Sequence, residues 1–162
     1  MIIEKFINLC KVQKRERKLI QLLKAICSCG EEPIVNNQNS IAEILLEDDQ
    51  SRTMLMMPIR LKTNDMIDVL LDADSSMGNW MPLTNYRNFK RKNYGYFLSL
   101  IDLSAELCIG RNSRSIETLQ EMYSFDTVQS LVKNKQLPYE MRALFMRILL
   151  HLHMDREPLQ PI

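Results

Sequence analysis

The sequence predicts an all-α chain, an armadillo- or HEAT-like helical solenoid with an irregular central insertion. Three observations carry that expectation. The 162 residues include only four glycines among abundant Leu, Ile, Met, Glu, Lys and Arg, a composition that favours helix over sheet. One apolar stripe then recurs along the chain. Leu19, Leu22, Leu23, Ile26 and Cys27 are matched 81 positions later by Leu100, Leu103, Ser104, Leu107 and Cys108. A further 41 positions reach Met141, Leu144, Phe145, Ile148 and Leu149. Steps of 41 and of about twice 41 fit the ~40–47-residue period of stacked helical repeats. Finally, each clear unit reads as a long helix, a break and a shorter helix.

Residues 1–50 form the first expected unit. Its long helix lies in KRERKLIQLLKAICSC, and Cys29-Gly30 with the polar stretch Glu31 to Asn39 makes the break. Ser40-Ile41-Ala42-Glu43 has the spacing of a capping box, followed by the short apolar stripe Ile41, Ile44 and Leu45. Residues 51–93 are expected as a degenerate unit with a variable loop. Met54 and Met56, then Ile59 and Leu61, alternate as in a short strand or extended strap. Asn64 to Asp72 is expected as a short helix bearing Met66, Ile67, Leu70 and Leu71. Asp74 to Thr84, with Gly78 and Pro82, is expected as a loop.

Residues 94–162 hold the C-terminal units, and the three stretches together make one domain. A helix carrying Ile116, Leu119 and Met122 follows Gly110-Arg111-Asn112-Ser113, and Ser124 or Asp126 can cap the next, with Val128, Leu131 and Val132. Pro138 and Glu140 open the last helix, where Pro is tolerated and a carboxylate meets the positive dipole end. Met141, Leu144, Phe145, Ile148, Leu149 and Leu152 give that helix one wide apolar face, before the charged exit Asp155-Arg156-Glu157-Pro158.

Several function classes are disfavoured. A formal net charge of +1 speaks against nucleic acid as the main partner, since polyanion binders normally carry a cationic excess. Cys10, Cys27, Cys29 and Cys108 are too scattered, or in one pair too close, for a disulfide framework, and a reducing cytosolic setting is expected. No apolar run approaches the ~20 residues needed to cross a bilayer. The start, MIIEKFINL, lacks a signal-peptide layout. No phosphate loop, nucleophile elbow or metal-ligand pair is present, so neither enzyme chemistry nor a cofactor is expected. His151 and His153, two apart on a helix, point to different faces and cannot share a metal ion. Asp72 to Gly78 begins like a calcium loop, but its glycine is one position late and Leu83 stands where a bidentate Glu is needed.

Two basic clusters remain. Lys11, Lys14, Arg15, Arg17 and Lys18 form the one candidate ligand surface, although charge runs are usually solvated faces. Arg87, Lys90, Arg91 and Lys92, flanked by Tyr86, Phe89, Tyr94 and Tyr96, suit an interdomain or acidic-partner contact.

Two blocks also resemble a known family. Phe6 to Leu46, FINLCKVQKRERKLIQLLKAICSCGEEPIVNNQNSIAEILL, is similar to the RIH region shared by inositol 1,4,5-trisphosphate and ryanodine receptors. Tyr94 to Pro158 includes YFLSLIDLSAELCIGRNSRSIETLQ and LPYEMRALFMRILLHLHMDREP, and it resembles the inositol trisphosphate receptors more closely. Glu47 to Asn93 matches neither group well, and the family often carries a variable insert there.

The resemblance implies an armadillo-like segment of a homotetrameric, ligand-gated calcium-release channel. The segment would lie on the cytosolic face of the endoplasmic reticulum, contact neighbouring domains of its parent and couple ligand binding to pore gating. It also implies an inositol phosphate contact. The family's Arg-Lys pair begins at Lys11, and its second member falls on Val12, Gln13 or Lys14 depending on one gap. Lys11, Lys14 and Arg15 are the expected inositol phosphate-binding residues, by charge-assisted bonds near a helix junction. The family's site also needs a β-rich domain on its other wall, so this chain alone is expected to bind such ligands weakly or not at all.

Overall fold

The computed structural model describes residues 2–30, 32–62, 66–71 and 78–155. Helices dominate it. α1 (Ile2–Gln13) buries Ile3, Ile7 and Cys10 at i, i+4 and i+7. It ends in a sharp elbow where Lys14 and Arg15 adopt positive φ of 34° and 61°. Glu16 then caps α2 (Arg17–Ala25), its carboxylate accepting the Lys18 N–H.

A two-residue hairpin, β1 (Ser28–Cys29) with β2 (Glu32–Pro33), separates α2 from α3 (Val35–Ile41). The expected polar break therefore extends only to about residue 34. Ser40 sits inside α3, which runs directly into a π-helical turn, Ala42–Glu47, so the proposed capping box does not start a helix. α4 (Asp49–Leu55) follows. Asp48 starts it, accepting both the Ser51 N–H and the Ser51 hydroxyl.

The centre departs most from expectation. α4 takes Met54, and the alternating run becomes a strand only at β3 (Ile59–Leu61). The expected helix at 64–72 is instead β4 (Ile67–Leu70), and the expected loop contains β5 (Trp80–Pro82) and a 3-10 turn, Leu83–Asn88. The three strands pair antiparallel in the order β3-β4-β5, with Arg60 opposite Asp68 and Leu70 opposite Trp80. Ile67 and Val69 are β-branched and fully or nearly buried, which suits a pleated strand better than a helix turn. The rejected calcium loop lies almost wholly outside the described residues.

α5 (Arg91–Cys108) is the axis of the molecule. It is the longest helix and buries twelve of its residues, from Tyr96 to Cys108 with Asp102 excepted. α5 lies between α2 on one side and α8 (Tyr139–Ile148) on the other. Residue pairs that touch across these helices rise together in number: Lys24 with Asp102, Ser28 with Glu106, then Tyr94 with Glu140 and Asp102 with Arg147. The three helices are therefore parallel neighbours in one layer.

The recurring stripe marks these three helices, with one correction. On α2 and just past its end the buried positions are Ile20, Leu23 and Cys27, with Leu19 and Ile26 partly covered, whereas Leu22 is 38% exposed. Leu103, Leu107, Met141, Phe145 and Ile148 are all buried. The Phe97 and Phe145 rings meet with centroids 6.4 Å apart.

The second layer consists of α1, α3, α4, α6 (Ser113–Met122) and α7 (Phe125–Lys133). Asn112 caps α6 and Ser124 caps α7 through its hydroxyl, as the residue types imply. At the corner before α6, Gly110 has φ of 74°, and a Cβ there would lie 2.5 Å from the Pro33 ring. Only glycine satisfies both conditions. The last helix continues as a π-helical turn, Leu149–Met154, which buries Leu152. Arg156 to Pro158 of the expected exit lie outside the described residues. No helix among the described residues is long and apolar enough to cross a membrane.

Candidate functional site

The polar groups of this fold concentrate where the three parallel helices meet. Asp102 and Glu106 stand one turn apart on α5, so both carboxylates share a face. Lys24 of α2 reaches Asp102 at 2.6 Å. Arg147 of α8 binds both carboxylates, one nitrogen on Asp102 and another 2.8 Å from Glu106. The Ser28 hydroxyl donates to the remaining Glu106 oxygen at 2.6 Å. One continuous charged bar therefore runs α2–α5–α8.

Burial decides how much this bar matters. The Glu106 side chain is only 8% exposed, so its charge is withdrawn from water and must be matched inside the protein. Burial alone would raise its pKa. The Ser28 hydrogen bond, the hydrogen bond and charge of Arg147 and the Lys24 charge outweigh that and hold it below the usual carboxylate range. Asp102 and Arg147 are roughly a quarter to a third exposed, and solvent weakens their share.

A second, neutral clamp lies beyond it. Gln38 is fully buried, and its amide donates to the backbone carbonyls of Glu106 and Ile109 at 2.9 and 3.0 Å. Both carbonyls lie at the end of α5, where the Glu106 carbonyl also accepts the Ile109 N–H at 3.3 Å. Asn112 binds Asn39 at 2.8 Å while capping α6. The polar residues of α3 thus lock the α5–α6 corner. Sequence reasoning assigned them to a loop, because VNNQNSI has no apolar stripe to mark it as helix.

The predicted anion-binding residues are divided by the α1–α2 elbow. Lys11, on α1, is partly buried and faces Asp48 at 3.6 Å. Lys14 is exposed, and Arg15 is half-buried with its charge near the Tyr96 hydroxyl, which donates to the Leu55 carbonyl. Lys14 and Arg15 share the positive-φ turn.

The histidines fall apart as their spacing requires. His153 Nε2 lies 2.8 Å from the Tyr123 carbonyl, with its ring edge-on to Phe125, while His151 sits nearer Arg147 and Asp155. Burial, and then the Arg147 charge, lowers the His151 pKa below the ordinary imidazole value. Cys10, Cys27 and Cys108 are buried, and burial pushes their thiols up to about 11, 12 and 12. Cys29 is the exposed one, so of Cys10 and Cys29 only Cys29 is an accessible thiol.

Comparison with known proteins bears on the same helices. Residues 2–60, which contain α1 to α4, match the family model of the RIH domain of ryanodine and inositol trisphosphate receptors. A curated protein from Dictyostelium discoideum, inositol 1,4,5-trisphosphate receptor-like protein A, is 28% identical over 157 residues. That alignment covers 96% of this chain, so it includes α5 and α8 as well as the RIH match. Both comparisons place this chain's similarity with the inositol trisphosphate and ryanodine receptors. The chain spans about 5% of that receptor-like protein's length. The charged bar thus joins a helix inside the RIH match, α2, to two helices beyond it.

Proposed function

We propose that this chain is an armadillo-like segment of an inositol trisphosphate receptor-like calcium-release channel. In that reading it sits on the cytosolic face of the endoplasmic reticulum within a homotetrameric, multi-pass parent. It carries displacement from a ligand-binding region toward a distant pore. The role is mechanical rather than catalytic.

The charged bar supports this reading most directly. Three parallel helices, bound edge to edge by Lys24, Asp102, Arg147, Glu106 and Ser28 over a close-packed apolar core, move together rather than bending. Interiors packed at this density transmit strain instead of absorbing it. In a stacked repeat, each unit contacts only its neighbours, so rotation at one end reappears at the other. The α1–α2 elbow is the place in this segment for a flank of the inositol phosphate site. Lys14 and Arg15 would face the ligand there, and Lys11 would hold the elbow to Asp48.

The two parts of the proposal separate experimentally. In the parent channel, Arg147→Met breaks the bar far from the elbow. It should leave inositol trisphosphate affinity unchanged while reducing ligand-evoked calcium release. Lys14→Gln with Arg15→Gln should instead lower affinity. Full calcium release with the bar broken would contradict the coupling role, and unchanged affinity in the elbow variant would remove the ligand contact.

A further inference from the structure

Parts of the two basic clusters, some 75 residues apart in the sequence, become one surface in the fold: Arg17 and Lys18 of the first with Lys90, Arg91 and Lys92 of the second. Because α2 and α5 run parallel, their N-terminal ends lie on the same edge of the layer. The register is fixed at three levels. Ser28 meets Glu106, Lys24 meets Asp102, and one end further along the Arg17 side chain lies across Gly95. A Cβ on Gly95 would come within 3.3 Å of the Arg17 Cδ, so the glycine lets the guanidinium stem rest against α5. Arg91 is one turn before Gly95 on the same face of α5. Arg17 and Lys18 therefore stand beside Lys90, Arg91 and Lys92, all five exposed.

Two carboxylates at this edge, Glu16 and Glu140, keep their charge but are each held by a neutral donor. Glu16 accepts the Lys18 backbone N–H, and Glu140 at the start of α8 accepts the Tyr94 hydroxyl at 2.6 Å. Glu140 also limits the basic surface on the α8 side. In a chain with a net charge of only +1, five cations gathered on one edge are a local feature that composition conceals.

We propose that this edge docks an acidic peptide segment of a protein partner. The cations form an open line across two helix starts, without an enclosing wall, which suits carboxylates spaced along an extended chain. Compact polyphosphates are held instead by groups converging from several sides. The tilted Tyr86–Tyr94 ring pair, 5.8 Å between centroids, borders the line and offers apolar cover for the peptide stem. This surface is separate from the elbow residues Lys14 and Arg15, so it stands or falls independently of the ligand-site reading.

The test uses the whole chain and a fluorescein-labelled oligoglutamate peptide, with oligoglutamine as the uncharged control. Anisotropy should show binding of the acidic peptide alone, weakening sharply as salt rises past about 0.15 M, where the Debye length is about 8 Å. Arg91→Glu with Lys92→Glu should weaken binding by about tenfold or more, because like charges then face the peptide. The milder Lys92→Gln should weaken it less, and Lys133→Glu with Lys135→Glu, at and just beyond the end of α7, should leave it unchanged. Absence of binding, equal loss in the α7 variant, or capture of phosphatidylserine vesicles through the same residues without peptide binding would overturn the proposal.

Discussion

Phe145→Ala should destabilise the chain by about 3–5 kcal/mol, the range for truncating a buried aromatic without collapse of the cavity. Phe145 is 0% exposed and meets Phe97 across the α5–α8 seam, so removing its ring loses apolar burial and an aromatic contact together. For a domain of this size the corresponding fall in Tm is roughly 10 °C. Urea unfolding monitored by circular dichroism checks it. A loss below about 1 kcal/mol would mean that α8 does not seat its apolar face against α5 as described.

Arg147→Met carries the next largest expected effect, about 2–3 kcal/mol. Breaking a fully buried pair costs ~3–5 kcal/mol, and the partial exposure of Arg147 and Asp102 reduces that figure. The origin of the loss is Glu106, left with a shielded charge that Ser28 and Lys24 only partly match. Adding Glu106→Gln should therefore recover part of the stability, a coupling that a double-mutant cycle measures.

The effect also has a pH signature. Glu106 has a folded-state pKa below its unfolded value, so its contribution is complete above the unfolded pKa and is lost as pH falls through the folded one. Wild type should lose stability below about pH 4.3, the ordinary Glu value. Arg147→Met should lose less over that window, because its Glu106 is no longer held ionised. Parallel pH curves for the two proteins would contradict the assignment.

What the sequence revealed, and what it concealed, follows from physical length scales. α5 is eighteen residues long, and α8 with its π-helical continuation carries six apolar positions in register, so their periodicity stands out from noise. The repeat interval then identified the three helices that pack as neighbours. α2 has nine residues, too few turns to fix the phase of its stripe. The stripe consequently includes Leu22, which is 38% exposed, and misses Ile20, two residues before it, which is buried.

The β3–β5 sheet was hidden for a related reason. Met66, Ile67, Leu70 and Leu71 fit a helical stripe and a buried strand equally well over so short a run, and only pairing with β3 and β5 resolves the ambiguity. The charged bar was not legible at all. Lys24, Asp102 and Arg147 read singly as surface charges, and only parallel packing brings them together across separations of 78 and 45 residues. Lys11 stands near a helix junction, and its partner Asp48, from a different helix start, could not be read from the sequence.

Native-state hydrogen exchange across α2, α5 and α8 addresses the central claim, that these helices behave as one body. Amides in slowly exchanging elements report the free energy of the smallest opening that exposes them. The slowest amides of Ile20–Lys24, Phe97–Leu107 and Phe145–Ile148 should share one opening free energy, close to that of global unfolding, and Arg147→Met should lower all three together. If α8 or α2 instead opens separately at a much lower free energy, or the substitution affects α8 alone, the layer is not a rigid unit and cannot carry a displacement from one side to the other.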